Sequence, residues 1–151
     1  MTAELTYWDS DCFLAWFQEE AGKVDACRGP IERAEAGDVF ILSSTLTVAE
    51  VLWMRGAPRL PEDKASLVRA FFRRPYIRLR NVTRHVAEAA QDLVWNHGIK
   101  PKDAIHVATA LDAKAVALET FDEKLIKKSG SVGGGNLIIR QPQPPKQGKL
   151  L

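Results

Sequence analysis

Apolar positions along this chain alternate between short unbroken runs and longer stretches in which they recur every three or four residues. The first pattern suits buried strands and the second amphipathic helices. "LTYWD" therefore predicts a strand ending at Asp9, and "SDCFLAWFQEE" a helix with Phe13, Leu14 and Phe17 on one side. "VDACRGPIERAEAG" predicts a helix interrupted near Gly29-Pro30, where proline removes a backbone donor, and closed by Gly37. "DVFILSS" predicts a buried strand, followed by the helix "TLTVAEVLWMRG" with Glu50 in its middle and Gly56 as its stop. "PEDKASLVRAFFRR" predicts a helix opened by Pro61 and Glu62, leading to the strand "YIRLRNV". Two further helices follow, "TRHVAEAAQDLVWNHG", ended by Gly98, and "PKDAIHVATALDAK", opened by Pro101 and Asp103. "AVALETFD" predicts a short strand, "DEKLIKKSG" a helix with Asp122 as N-cap, "GSVGGGN" a flexible loop without the Lys-Ser/Thr ending of a phosphate-binding loop, and "NLIIR" a last strand.

Strands alternating with helices predict an α/β sandwich around a mostly parallel sheet, in which sites form outside the strands' carboxyl ends. Asp9 and Asp122 each stand at such an end, so their side chains converge if the two strands are neighbours. The folded domain is expected over residues 1–140, with "QPQPPKQGKLL", residues 141–151, as a disordered Pro-rich tail.

With 151 residues, 46% of them hydrophobic, the chain has material for one domain with its own core. No run approaches the roughly 20 apolar residues that span a bilayer, and no charged segment followed by an apolar one opens the chain, so a cytoplasmic protein without membrane contact is expected. Cys12 and Cys27 fit neither a zinc site nor a redox pair and read as reduced thiols. The net charge of +2 is too small to announce a nucleic-acid partner by itself. Its distribution adds a stripe, Arg73, Arg74, Arg78, Arg80 and Arg84 in "RRPYIRLRNVTR", which reads either as a phosphate-contacting surface or as a solvated face. Trp8, Trp16, Trp53 and Trp95 lie in apolar patterns and are expected in the core, and His97 beside Gly98 reads as a helix-end residue.

The acids change this picture. "YWDSDCFL" places Asp9 and Asp11 two residues apart in an otherwise apolar run, where a carboxylate needs something to neutralise it. Each acid alone has a plain structural role: Asp9 or Asp11 as a helix cap, Asp103 in a helix's first turn, Asp122 as an N-cap. Glu50 resists that reading, because Leu46, Val48, Ala49, Val51, Leu52 and Trp53 predict an apolar collar around it. Carboxylates gathered in a poorly solvated pocket repel unless a cation lies among them. A cluster without His or Cys ligands suits Mg²⁺ or Mn²⁺ better than zinc and points to phosphoryl chemistry.

The order and surroundings of these acids resemble a PIN domain, and more closely the VapC-type toxin ribonucleases of bacterial and archaeal toxin–antitoxin modules. "TYWDSDCFL" resembles the family's opening strand and D-[ST]-[NS] turn, "SSTLTVAEVLW" its second motif, "KPKDAIHVATAL" its DA-x-x-x-A-x-A helix, and "ALETFDEKL" its T-x-D turn. The resemblance extends from the chain's start to about Arg140 and assigns the metal-site acids to Asp9, Glu50, Asp103 and Asp122, with Thr120 as a hydrogen-bonding neighbour. It implies a Rossmann-like α/β/α fold and a Mg²⁺- or Mn²⁺-dependent endoribonuclease leaving a 5′-phosphate and a 3′-hydroxyl. It also implies a homodimer held inactive by a cognate antitoxin. RNA is the implied substrate, with the Arg stripe positioning its backbone. Asp11 departs from the family's usual Asn or Ser and is expected to hold a metal's water or cap the helix. The second acid that often follows the last motif is not evident, since Glu123 is adjacent and Leu125 apolar, so one or two ions fit. His106, one turn after Asp103, reads as a packing residue or a support for the ligands. Two rivals remain: a PIN module without turnover that binds RNA or protein, and a haloacid-dehalogenase-like phosphatase suggested by "DSD" after a strand. The phosphatase reading leaves Glu50 unexplained.

Overall fold

The computed structural model describes residues 3–52 and 62–146. In chain order the elements are β1 (Glu4–Trp8), α1 (Ser10–Phe17), α2 (Val24–Glu35), β2 (Val39–Ser44), α3 (Thr45–Glu50), α4 (Glu62–Phe72), β3 (Ile77–Arg80), α5 (Arg84–His97), α6 (Pro101–Asp112), β4 (Ala117–Glu119), α7 (Glu123–Ile126) and β5 (Ile138–Arg140). The strands form one sheet in the order β3-β2-β1-β4-β5, with every neighbouring pair parallel. Both faces are covered, which is why the strands read as nearly continuous apolar runs.

Successive strand residues point to opposite faces, and β1 shows how that divides the core. Tyr7 joins Leu42, Leu118, Val86, Ala90, Ala104 and Val107 under α5 and α6. Trp8 joins Ile41, Phe13, Cys27, Ile31 and Phe72 under α1, α2 and α4. The result is the expected α/β/α sandwich. No helix among the described residues is long and apolar enough to cross a membrane. Cys12 and Cys27 are both free and buried.

Local signals set most of the ends. Thr83 caps α5 by accepting from the Val86 amide, and Gly98 closes it at φ 64°, a conformation that favours glycine. Pro101 opens α6 where a missing donor costs nothing.

Four expectations need correction. Helix α2 runs unbroken through Pro30. Proline leaves one carbonyl without its helical partner, yet Cys27, Ile31 and Ala34 are buried against the sheet and hold the helix together. Gly29 has a different purpose: a methyl group there would lie 1.9 Å from the Gln143 carbonyl oxygen, so the segment after β5 passes directly over the helix. Helix α3 ends at Glu50, with Val51 as its C-cap, so Glu50 is a terminal and not a central residue. Gly56, Trp53 and Pro61 lie outside the described residues. The glycine-rich run forms a short 3₁₀ turn over Gly133–Gly135 beside the buried Val132. Trp8 is buried and Trp16 half-buried, but Trp95 is 71% exposed, because the buried stripe of α5 is Val86, Ala90 and Leu93 and Trp95 lies on the opposite face.

Candidate active site

The chain runs from β1 to β2 on one side of the sheet and returns to β4 on the other, so β1 and β4 form its topological switch point. Trp8 lies opposite Glu119 there, and the residues that follow emerge side by side at the carboxyl ends. Sites in open α/β sheets form at such a crevice.

Asp9 leaves β1 and is only 4% exposed. Its Oδ1 accepts from the amides of Asp11 at 3.1 Å and Cys12 at 3.4 Å, making it the N-cap of α1. Its Oδ2 accepts from the Thr120 hydroxyl at 2.5 Å, and the Thr120 oxygen in turn accepts from the Asp122 amide at 3.0 Å. Thr120 thus ties the first acid to the turn that carries the last. Asp122 caps α7 by accepting from the amides of Lys124 and Leu125. Asp103 projects from the first turn of α6. Glu50 reaches in from the end of α3, where its Oε1 lies 2.8 Å from His106 Nε2, and His106 Nδ1 lies 2.5 Å from the Tyr7 hydroxyl.

The electrostatics show that these acids share one environment. Burial first, and then the Asp11 carboxylate, push the Asp9 carboxyl up to about 7, against the pull of His106, the Thr120 hydroxyl and the Cys12 amide. Burial also raises Asp103 above the ordinary carboxylate range, with Asp122, Asp11 and Glu50 adding to the rise and His106 opposing it. Negative charge is therefore in excess at this end of the sheet. Tyr7 is held well above the ordinary phenol range, chiefly by burial, and stays protonated.

Among the described residues no three His, Cys, Asp or Glu side chains are grouped so as to hold a metal ion. The donor set nevertheless suits a hard divalent ion: the ligands offered are carboxylate oxygens, and each Asp9 oxygen keeps lone-pair capacity beyond its hydrogen bonds. Excess charge on Asp9 and Asp103 is what such an ion relieves.

The sequence matches the PIN domain family over residues 6–130. The chain belongs to that family. No curated protein matches the chain. Among solved structures, it is similar to VapC20 of Mycobacterium tuberculosis, a Sarcin-Ricin loop cleaving toxin, with a TM-score of 0.61 and 17% identity over 78% of this chain and 89% of that one. A toxin–antitoxin complex from Klebsiella pneumoniae gives a TM-score of 0.61 and 20% identity over 88% of this chain and 95% of that one. VapBC2 from Rickettsia felis, bound to a DNA fragment from its promoter, gives 0.66 and 15% over 91% and 98%. At these identities the likeness is one of fold.

In this PIN domain the second acid is sheltered differently from the expectation. Among the described residues Val51 is buried and Leu46 half-buried, but Val48, Ala49 and Leu52 face solvent, so the expected apolar collar is incomplete. The Glu50 side chain is only 13% exposed because it turns inward to His106. Asp11 is likewise not the helix cap, a role that Asp9 fills. The Arg stripe divides along the fold. Arg73 and Arg74 precede β3 and so lie at the strands' amino end, with Arg74 Nη1 3.9 Å from Glu35. Arg78 packs 4.0 Å over the Phe40 ring, and Arg80 ends β3 3.5 Å from Asp112, the last residue of α6 and so at the opposite end of that helix from Asp103. A cavity of about 460 Å³ between α7 and β5 includes Lys127 and Arg140 in its lining and none of the four acids.

Sequence reasoning missed Glu119. It is 1% exposed and accepts from Trp8 Nε1 at 2.9 Å and Arg140 Nε at 3.1 Å, while its carbonyl accepts from the Cys12 thiol and the Asp9 amide. The signal was available: an acid inside the apolar run "AVALETFD" must be buried, and a buried carboxylate needs donors.

Proposed function

We propose that this PIN domain is a Mg²⁺- or Mn²⁺-dependent endoribonuclease acting on single-stranded RNA, with Asp9, Glu50, Asp103 and Asp122 holding one or two ions. The observation that supports it most is the buried Asp9 carboxyl, pushed up to about 7 beside a second acid that its neighbours also raise. Carboxyls that raise one another gather preferentially at functional sites, and a bound counter-charge would relieve them. When bound, a divalent ion supplies Lewis-acid activation of water and stabilises the leaving oxygen of a phosphodiester. The chain's own part is orientation. Asp9 is aimed by two amides and the Thr120 hydroxyl, Asp122 by its place in the α7 cap, and Glu50 by His106. The Arg stripe, Arg73, Arg74, Arg78 and Arg80, is read as contacting the RNA backbone where it continues beyond the acids toward the edge strand β3.

The fold shared with VapC20 and with toxin–antitoxin complexes supports a toxin with an antitoxin partner; a cytoplasmic location and a homodimer are part of the same proposal. A second reading, a PIN module that binds RNA without turnover, draws support from the absence of such a metal-holding group among the described residues.

The deciding experiment incubates the purified protein with single-stranded and structured RNA in EDTA, Mg²⁺ and Mn²⁺. Cleavage of the single-stranded substrate with either metal and none in EDTA is expected. Undiminished cleavage in EDTA would sink the metal reading. RNA binding without cleavage in either metal selects the silent module, and release of inorganic phosphate from small phosphomonoesters, with internal linkages intact, selects the phosphatase.

A further inference from the structure

Glu50 stands where its own helix does little to hold it. Helix α3 is short and ends at this residue, and its neighbours Val48, Ala49 and Leu52 are exposed. Without an outside partner the carboxylate would sample several rotamers at a solvent boundary, a freedom that long side chains give up only at a cost in entropy. Its contact with His106 supplies the partner, and His106 is held in the buried core. The imidazole is 2% exposed, on the buried face of α6, with Ala104, Val107 and Ala108 as core neighbours. Tyr7, its other partner, is fully buried on the central strand β1.

The hydrogen bonds assign the imidazole's tautomer. A carboxylate only accepts, so the 2.8 Å contact with Glu50 puts the ring proton on Nε2, and Nδ1 of the neutral imidazole is then bare and accepts from the Tyr7 hydroxyl.

We propose that His106 is a positioning residue whose imidazole, oriented by the Tyr7 hydroxyl, holds the Glu50 carboxylate in the geometry needed for a divalent ion. This rests on the reading of Glu50 as a metal ligand. The chemistry is the familiar one in which the hydrogen-bond partner of a ligand sets its direction, and loss of such a partner lowers metal affinity or activity by about 10- to 100-fold. A merely packing histidine would tolerate substitutes by volume. A positioning histidine tolerates them by where they place a donor.

Glutamine and asparagine separate the two cases. The glutamine amide nitrogen lies as many bonds from Cβ as histidine Nε2 and can donate to Glu50. The asparagine amide nitrogen corresponds to Nδ1 and cannot reach. Mn²⁺ binding to the RNA-free protein is measured by titration calorimetry, and cleavage kinetics in parallel, for wild type, His106→Asn, His106→Gln and Tyr7→Phe, each checked by its melting curve. His106→Asn is expected to weaken Mn²⁺ binding by about 10-fold or more and to lower kcat with KM for RNA unchanged, and His106→Gln to recover most of both. Nitrogen NMR of the metal-free protein should show His106 protonated at Nε2 and bare at Nδ1, with the Nε2 signal moved by Glu50→Gln and the tautomer loosened by Tyr7→Phe. Equal losses in the two His106 variants, no loss in either, or a proton on Nδ1 would overturn the proposal. A wild type that binds Mn²⁺ but does not cut RNA defeats the nuclease reading alone, since the asparagine–glutamine contrast in Mn²⁺ affinity still decides the role of His106. A wild type that binds no Mn²⁺ overturns both.

Discussion

The Asp9 carboxylate accepts from two amides at the start of α1 and from the Thr120 hydroxyl, so the structural role and the site role that compete in the sequence coexist in one side chain. Asparagine is also a good N-cap, and that makes Asp9→Asn informative. In the metal-free protein it should keep or gain stability by removing a buried charge, while cleavage and the Mg²⁺-induced rise in melting temperature disappear. The pH dependence follows from the direction of the shift. Asp9 titrates near 3.8 when unfolded and near 7 when folded, so between those values the folded state binds the extra proton. Its contribution to stability is therefore greatest at low pH, declines as pH rises from about 4 to 7, and is level above that, a loss on the order of a few kcal/mol. Urea unfolding in EDTA across this range, wild type against Asp9→Asn, measures it; a difference that grows in wild type's favour with rising pH counts against the assignment. Asp11→Asn removes the largest neighbouring charge acting on Asp9 and should shift the same transition to lower pH. The four acids could be named as candidates because each lies in a short local motif. The contacts of Tyr7 with His106 and of Glu119 with Trp8 were not legible, because the partners are 99 and 111 residues apart and spacing carries no information at that range.

Elements were legible wherever a local signal and burial agreed. Thr83, Gly98, Pro101 and Asp122 mark ends that the structure keeps. The failures share a cause: a local signal was read without its tertiary neighbour. Gly29-Pro30 looked like a break in α2, whereas Gly29 makes room for the Gln143 backbone and Pro142 is buried nearby in sequence. Gly29→Ala tests this packing. Alanine favours the helix by about 1 kcal/mol, so the domain itself should not be weakened. The added methyl cannot coexist with the Gln143 carbonyl, so residues 141–146 must lift away. Faster trypsin cleavage after Arg140, at a melting temperature within a few degrees of wild type, is the expected outcome. Unchanged cleavage would mean that the segment adjusts without leaving the helix.

At the scale of the molecule, the strand order brings the sites of Asp9 and Asp122 together, and alternation of strands with helices was enough to anticipate a parallel sheet but not which strands are neighbours. The pairing of β1 with β4 is non-local and appears in no window of the sequence. Beneath the acids, Glu119 joins three strands: it belongs to β4, accepts from Trp8 of β1 and pairs with Arg140 of the edge strand β5. Removing one partner of such a pair leaves an uncompensated buried carboxylate, and that cost exceeds the net worth of the pair. The Arg140 side chain is 39% exposed, which moderates the effect through solvent screening. Arg140→Met, which keeps the apolar stem, is therefore expected to destabilise the fold by roughly 2 kcal/mol. Glu119→Gln removes the charge but keeps an oxygen for Trp8 Nε1, so adding it to Arg140→Met should restore part of the loss. Urea unfolding of the two single variants and the double decides between coupling and coincidence. Losses that simply add would show that Arg140 does not hold Glu119, and that the edge strand is tied to the centre of the sheet by its backbone pairing alone.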